Sequence, residues 1–127
     1  IGIFAKDIRF GKKIISRFLK IKEISKVYND KSLGVKILFL KDYSNITYEI
    51  VSPFGKKNPV KKLLKENKNI LNHIAYKVKN FDKKIIFFRN NGFAPLNKPM
   101  KALALNNKRV CFFLTPLNYI IEVIEDD

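Results

Sequence analysis

A chain that carries one motif twice must fold that motif twice, and this narrows the architectures open to it. Ile1-Gly2-Ile3-Phe4-Ala5-Lys6-Asp7-Ile8 lines up with Ile74-Ala75-Tyr76-Lys77-Val78-Lys79-Asn80-Phe81, an offset of 73 residues. In each copy a short apolar strand is followed by Lys, by Asp or Asn, and by an apolar residue. Asp7 and Asn80 are natural N-caps, because a short side-chain oxygen can accept a hydrogen bond from a free N–H of the first helical turn. Behind them come Lys12-Lys13-Ile14-Ile15 and Lys83-Lys84-Ile85-Ile86. Ile8, Ile14, Ile15, Phe18 and Leu19 fit one helical face, as do Phe81, Ile85 and Phe88 with Ile86 beside them. Gly92 stands where a helix C-terminal cap belongs.

Each copy continues in extended segments. Ile24–Tyr28, Val35–Leu40 and Ile46–Val51 read as strands in the first, separated by Asn29-Asp30, Gly34 and Asp42–Asn45. In the second, a weak strand at Phe93–Leu96 precedes Arg109–Leu114 and Tyr119–Ile124, with Thr115–Asn118 as the last turn. The spacing therefore predicts an α+β chain, strand-helix-strand-strand-strand written twice. The expected boundaries are 1–53 for the first module, 54–71 for a linker with a short helix, and 72–127 for the second module, all within one domain. Pro59 suits the first turn of the linker helix, Val60–Glu66. The stretch Leu96–Lys108, with two prolines and little periodicity, reads as an irregular mobile flap.

The residues with metal-binding chemistry follow the same offset. Glu49 and Glu122 occupy equivalent points in the last strand of each copy, again 73 apart. Strand alternation sets Glu49 with Thr47 and Val51, and Glu122 with Ile120 and Ile124. A carboxylate on an otherwise apolar face needs a partner, because burying an ion alone costs several kcal/mol. The chain's one histidine, His73, precedes the first strand of the second copy. Imidazole plus two carboxylates suits a divalent Zn, Ni, Co, Fe or Mn ion without separating them. The same residues also read as an ordinary structural histidine and two solvent-facing glutamates, and the matched offset is what favours a metal. Applied to His73, the offset points to the position before Ile1, where a histidine or another ligand is expected. With three ligands of four, the metal is expected to be absent or loosely held.

Charge and cysteine content bound the partners. The formal charge is +15, from 26 basic and 11 acidic residues. The only arginines are Arg9, Arg17, Arg89 and Arg109, and the rest are lysines in scattered pairs. Base readers and phosphate clamps favour the arginine fork, so the balance reads as a solvated basic surface, expected in a Lys-, Asn- and Ile-rich chain from an A+T-rich genome. A basic mouth drawing in an anionic substrate and a nucleic-acid module are the alternatives. The partner expected is a small molecule, with neither nucleic acid nor membrane, since no run approaches the roughly 18–20 apolar residues of a span. Cys111, the one cysteine, lies in an apolar run and reads as a buried, inert thiol of a reducing, cytoplasmic compartment. There is no phosphate-cradling glycine loop, nucleophile elbow or HExxH pattern.

At Ile1–Asp7, Thr47-Tyr48-Glu49-Ile50-Val51-Ser52-Pro53, Asn72–Val78 and Val110–Glu125 the chain resembles the vicinal oxygen chelate superfamily, which includes glyoxalase I, methylmalonyl-CoA epimerase, extradiol dioxygenases and bleomycin-resistance proteins. The resemblance spans the whole chain. It implies two βαβββ modules in tandem, with curved mixed sheets around one central cavity. It implies that Glu49, His73 and Glu122 are metal ligands and that Glu122 or Glu49 is the catalytic proton shuttle. The activity implied is that of a lyase or isomerase working beside a carbonyl through a metal-stabilised enediolate. The substrate implied is an anionic thioester or thiol adduct, and pairing into a homodimer is common in such modules. The alternative on the same fold is a metal-free, resistance-type protein that binds a small molecule.

The segment 52–66 looks more like the epimerase branch. In that branch a glutamate two residues before a Gly-Val pair is a proton-transfer base. Here Ser32 stands at that place before Gly34-Val35, with Asp30 nearby. The glycine-rich flap of the epimerases is replaced by Lys101–Asn107, and no residues match those that hold glutathione.

Overall fold

The computed structural model describes residues 1–55 and 71–126, with Leu71 described by its backbone alone. The expected linker helix, Val60–Glu66, lies outside the described residues. The chain divides into two compact units, Ile1–Asn72 and His73–Asp127.

The first unit runs β1 (Gly2–Phe4), α1 (Ile8–Phe18), β2 (Ile21–Ile24), β3 (Tyr28–Asp30), β4 (Val35–Asp42) and β5 (Thr47–Pro53). β1 pairs parallel with β5, β5 antiparallel with β4, and both β2 and β3 lie against β4. The second unit runs β6 (Leu71–Val78), α2 (Phe81–Asn90), β7 (Ala94–Pro95), β8 (Met100–Ala102), β9 (Lys108–Leu114) and β10 (Ile120–Glu125). β6 pairs parallel with β10, β10 antiparallel with β9, and both β7 and β8 lie against β9. The fold is α+β, and the strand order within each unit is the same. Helices start at residues 8 and 81, inner strands at 35 and 108, and last strands at 47 and 120, always 73 apart.

The expected strand Ile24–Tyr28 is two short strands instead. Between them the Ser25 hydroxyl accepts from the Phe39 N–H at 2.9 Å and takes the place of a strand neighbour. The expected irregular stretch 96–108 is likewise more regular than its prolines suggest. Asn97 Oδ1 accepts from the Phe112 N–H at 2.8 Å, and Leu96 N–H donates to Phe112 O at 2.8 Å. The chain then forms β8 and a 3₁₀ turn, Leu103–Leu105, burying Ala102 and Ala104. In both units the outer strand is therefore broken into two pieces on one inner strand.

Each sheet packs one face under its helix. Ala5, Ile15, Leu38, Leu40 and Ile50 form the core of the first unit. Phe81, Ile85, Cys111, Phe113, Ile121 and Val123 form that of the second. Each large side chain so buried contributes about 1.5–3 kcal/mol. Phe18 and Ile86, expected on the apolar faces, are exposed instead. Phe18 is the last residue of α1. Gly11 lets α1 approach closely, since a Cβ there would stand 2.7 Å from Ile50 Cγ2 and 3.1 Å from Ala5 Cβ.

The helix ends differ. Asp7 caps α1 by accepting from the Phe10 N–H at 2.6 Å. Asn80 holds the equivalent place in a left-handed conformation, and its side chain makes no capping bond, contrary to expectation. At the far end of α2, Gly92 takes φ +83° and Phe93 N–H closes back on Phe88 O at 3.1 Å, the cap its glycine predicts.

Candidate metal centre

The second unit brings two of the expected ligands together. Parallel register sets His73 opposite Ile120 and Ala75 opposite Glu122. By alternation these four share one face of the sheet, and Ile121 and Val123 turn to the α2 side. His73 Nε2 lies 3.0 Å from Glu122 Oε2, with side chains 4% and 5% exposed. Phe112, opposite Glu122 on β9, sets its ring edge-to-face against the imidazole, with centroids 5.3 Å apart and planes at 87°. Val110, Ile124 and Ala102 are buried in a cluster that includes Phe112, with Ala75, Met100 and Leu105 packed on it. A carboxylate buried in such surroundings needs polar partners, and the imidazole is one.

Glu49 occupies the matching place in the first unit. It stands opposite Phe39 on β4 and Gly2 on β1, and its backbone N–H donates to Ile1 O at 2.7 Å. Ile50 turns to the α1 core, so Glu49 and Val51 lie on the face away from the helix. Glu49 is half-buried. Phe39 and Phe112 are themselves 73 positions apart, so each carboxylate has an aromatic residue directly across its strand pair. This aromatic partner was not singled out in the sequence, although the offset marks it.

The donors present fit a divalent transition ion. Imidazole nitrogen and carboxylate oxygen suit Zn, Ni, Co, Fe and Mn alike, and the buried His73–Glu122 pair sits where apolar neighbours already exclude water. Cys111 adds nothing to this set. It faces α2, it is buried, and burial raises its thiol pKa, so the inert reading holds.

A cleft of about 580 Å³ opens elsewhere on the second unit, at the start of α2 and the ends of β9 and β10. Its floor is Arg109, a residue the sequence did not single out. The guanidinium meets Asp82 at 2.9 and 3.2 Å and Glu125 at 2.8 and 3.2 Å, and it lies 4.7 Å from the centre of the Phe81 ring. Glu125 and Asp82 raise the Arg109 pKa further, and the Arg109 side chain lowers that of Glu125. These charges satisfy one another, so the cleft is a clasp between helix and strands. It contains none of the expected ligands. Among the described residues, no helix is long and apolar enough to cross a membrane.

Comparison with known proteins fits this architecture. A hypothetical protein from Bacillus halodurans C-125 matches with TM-score 0.83 and 25% identity, over 100% of this chain and 91% of its own. Methylmalonyl-CoA epimerase from Mycobacterium tuberculosis matches with TM-score 0.80 and 18% identity, over 99% and 85%. A single-residue variant of the Streptomyces coelicolor methylmalonyl-CoA epimerase, solved with 2-nitronate-propionyl-CoA, matches with TM-score 0.78 and 18% identity, over 99% and 94%. No curated protein matches the chain. At these identities the two epimerases share the fold. The family profile itself matches residues 1–112. The chain thus belongs to the Glyoxalase/Bleomycin resistance protein/Dioxygenase superfamily.

Proposed function

We propose that Glu49, His73 and Glu122 hold one divalent metal ion and that the chain moves a proton at the carbon beside a carbonyl, as an isomerase, epimerase or lyase. The observation that carries this reading is the buried His73–Glu122 pair. Glu49, at the equivalent point of the other copy, is the third donor proposed, for a set of one imidazole and two carboxylates. A bound divalent ion supplies Lewis acidity to a substrate oxygen. The chain's own residues do the rest. Glu122 or Glu49 accepts the proton from carbon and returns it, a role for which a positioned carboxylate is suited. Phe112 and the apolar side chains around it keep water from the proton in transit. The substrate class proposed is an anionic thioester or thiol adduct. Support comes from the basic balance of +15 and from the CoA thioester analogue in the Streptomyces coelicolor relative.

One observation favours a second reading. His73 and Glu122 already satisfy each other directly, as they would in a metal-free, resistance-type protein that only binds its small molecule. Exchange of the α-hydrogen in D₂O separates the two. Methylmalonyl-CoA and the hemithioacetal of methylglyoxal with a thiol serve as probes, followed by NMR. Exchange with either probe, reduced about 100-fold or more in Glu122→Gln, is the result expected. Binding of either probe without exchange would establish the second reading instead.

A further inference from the structure

The two helices hold the same place in their units and present different outer faces. On α1, Arg9, Lys13 and Arg17 stand four residues apart in one row along the helix, all exposed. Phe10, Ile14 and Phe18 form the row beside it. Phe10 is 42% exposed and Phe18 67%, and Ile14 is half-buried and outside the core cluster under the helix. On α2 the first row becomes Asp82, Ile86 and Asn90, and the second becomes Lys83, Phe87 and Asn91. The fold therefore requires neither row. Because α1 covers the sheet face opposite Glu49, this surface is separate from the candidate metal centre.

The cationic row works against the helix that carries it. Like charges four residues apart repel. Arg9 also stands in the first turn, which holds no acidic residue, where the helix dipole disfavours a cation. Asp82, at the equivalent place of α2, is favourable there. Among the described residues none of the three cations forms an ion pair. The charge is also concentrated. Residues 6–22 carry seven basic side chains and one acid, whereas residues 23–55 carry four of each. Exposed aromatic rings accompany it. Lys6 Nζ lies 4.3 Å from the centre of the Phe10 ring, and Lys20 Nζ lies 5.3 Å from that of Tyr43, which is 61% exposed.

We propose that this face of α1 docks on an anionic lipid surface, with Arg9, Lys13 and Arg17 against the headgroups and Phe10 and Phe18 in the apolar boundary beneath them. Charge complementarity supplies the attraction. A row of cations beside a row of large apolar side chains suits that boundary, since the cations stay with the headgroups while the rings leave water. A helix lying in the plane of the surface needs no spanning run. A nucleic acid would answer the cations alone. Its bases stack on open ring faces, and Lys6 stands over the Phe10 ring.

Co-sedimentation of the full chain at about 0.1 M salt tests this. The probes are vesicles of phosphatidylglycerol and phosphatidylcholine in equal parts, and vesicles of phosphatidylcholine alone. Binding is expected on the anionic vesicles and about 10-fold weaker or less on the neutral ones. Lys13→Ser and Arg17→Ser should each weaken it about 5-fold. Phe10→Ser combined with Phe18→Ser should weaken it about 10-fold. Phe87→Ser on α2 should leave it unchanged. Phe10→Trp gives the chain its one tryptophan, whose emission should shift to the blue on anionic vesicles. Failure to bind either vesicle overturns the proposal. Binding that ignores both phenylalanines, or falls equally in Phe87→Ser, overturns it in favour of diffuse basic charge. Tighter binding to a single-stranded oligonucleotide than to the anionic vesicles overturns it in favour of nucleic acid.

Discussion

At residue 42 the first unit turns its last hairpin on an aspartate, and at residue 115 the second turns the equivalent hairpin on a threonine. Asp42 Oδ1 accepts from the N–H groups of Ser44 and Ile46 at 2.9 and 3.0 Å. Thr115 Oγ1 accepts from those of Leu117 and Tyr119, both at 3.3 Å. Asn45 and Asn118 take the left-handed conformation at matching places. One backbone solution is held by two chemistries, a carboxylate and a hydroxyl. The reverse holds at the helix ends. Arg9, Lys36 and Ser52 in the first unit correspond to Asp82, Arg109 and Glu125 in the second. Only the second set forms a clasp; Lys36 instead lies 5.3 Å from the centre of the Phe54 ring. The two units share one backbone plan, and their side chains differ within the limits each backbone site sets.

The glutamates give the largest contrast. Glu122 is buried against His73, and Glu49 is half-buried. Glu122→Gln should therefore lower turnover of the active probe by about 10³-fold, and Glu49→Gln by about 10²-fold, both in the range of general acid–base roles. Equal losses in steady-state assays would mean the two copies contribute alike.

Packing of the helices gives the next contrast. Gly11→Ala pushes a methyl into Ile50 and should destabilise by about 1–3 kcal/mol. Lys84→Ala, at the equivalent exposed place on α2, should stay within about 0.5 kcal/mol. Urea melts measure both, and a harmless Gly11→Ala would show that α1 can lift from its sheet.

The hairpins and caps follow. Asp42→Ala strips a partner from two turn N–H groups and should cost about 1–3 kcal/mol, whereas Asp42→Thr, which copies the second unit, should recover most of it. Asp7→Ala should cost about 1 kcal/mol. Asn80→Gly should be neutral or slightly stabilising, because the Asn80 side chain makes no capping bond and its left-handed backbone suits glycine.

The clasp gives the smallest effect, through pH. The folded state lowers the Glu125 pKa, so the stability it adds is present above the ordinary glutamate value of about 4.3 and is lost as pH falls through the lowered value. Glu125→Gln should flatten that part of the acid limb in melts between about pH 2 and 5, and Ser52, its counterpart, should contribute none of it.

Much of this fold was legible because alternation and the 73-residue offset act locally. The offset located both helices, both inner strands and both last strands within a few residues, and it selected Glu49, His73 and Glu122. What it missed depended on contacts distant in sequence. The break after Ile24 is made by Ser25 bonding to Phe39, 14 residues away. The order in 96–105 depends on Asn97 reaching Phe112, 15 residues away. Arg109 meets Asp82 across 27 residues. A cue for the clasp was present, since Arg9 gives way to Asp82 and the neutral Ser52 to Glu125 at matching positions. Asn80 failed as a cap because its left-handed backbone replaces the extended geometry that lets a cap side chain turn back to the helix.

Metal content by elemental analysis, on protein loaded with excess divalent transition metal and then rapidly desalted, tests the central claim most directly. The account predicts a divalent transition metal stoichiometric with the chain, lost in His73→Ala and in Glu122→Ala and weakened in Glu49→Ala. Full metal content in His73→Ala would contradict it.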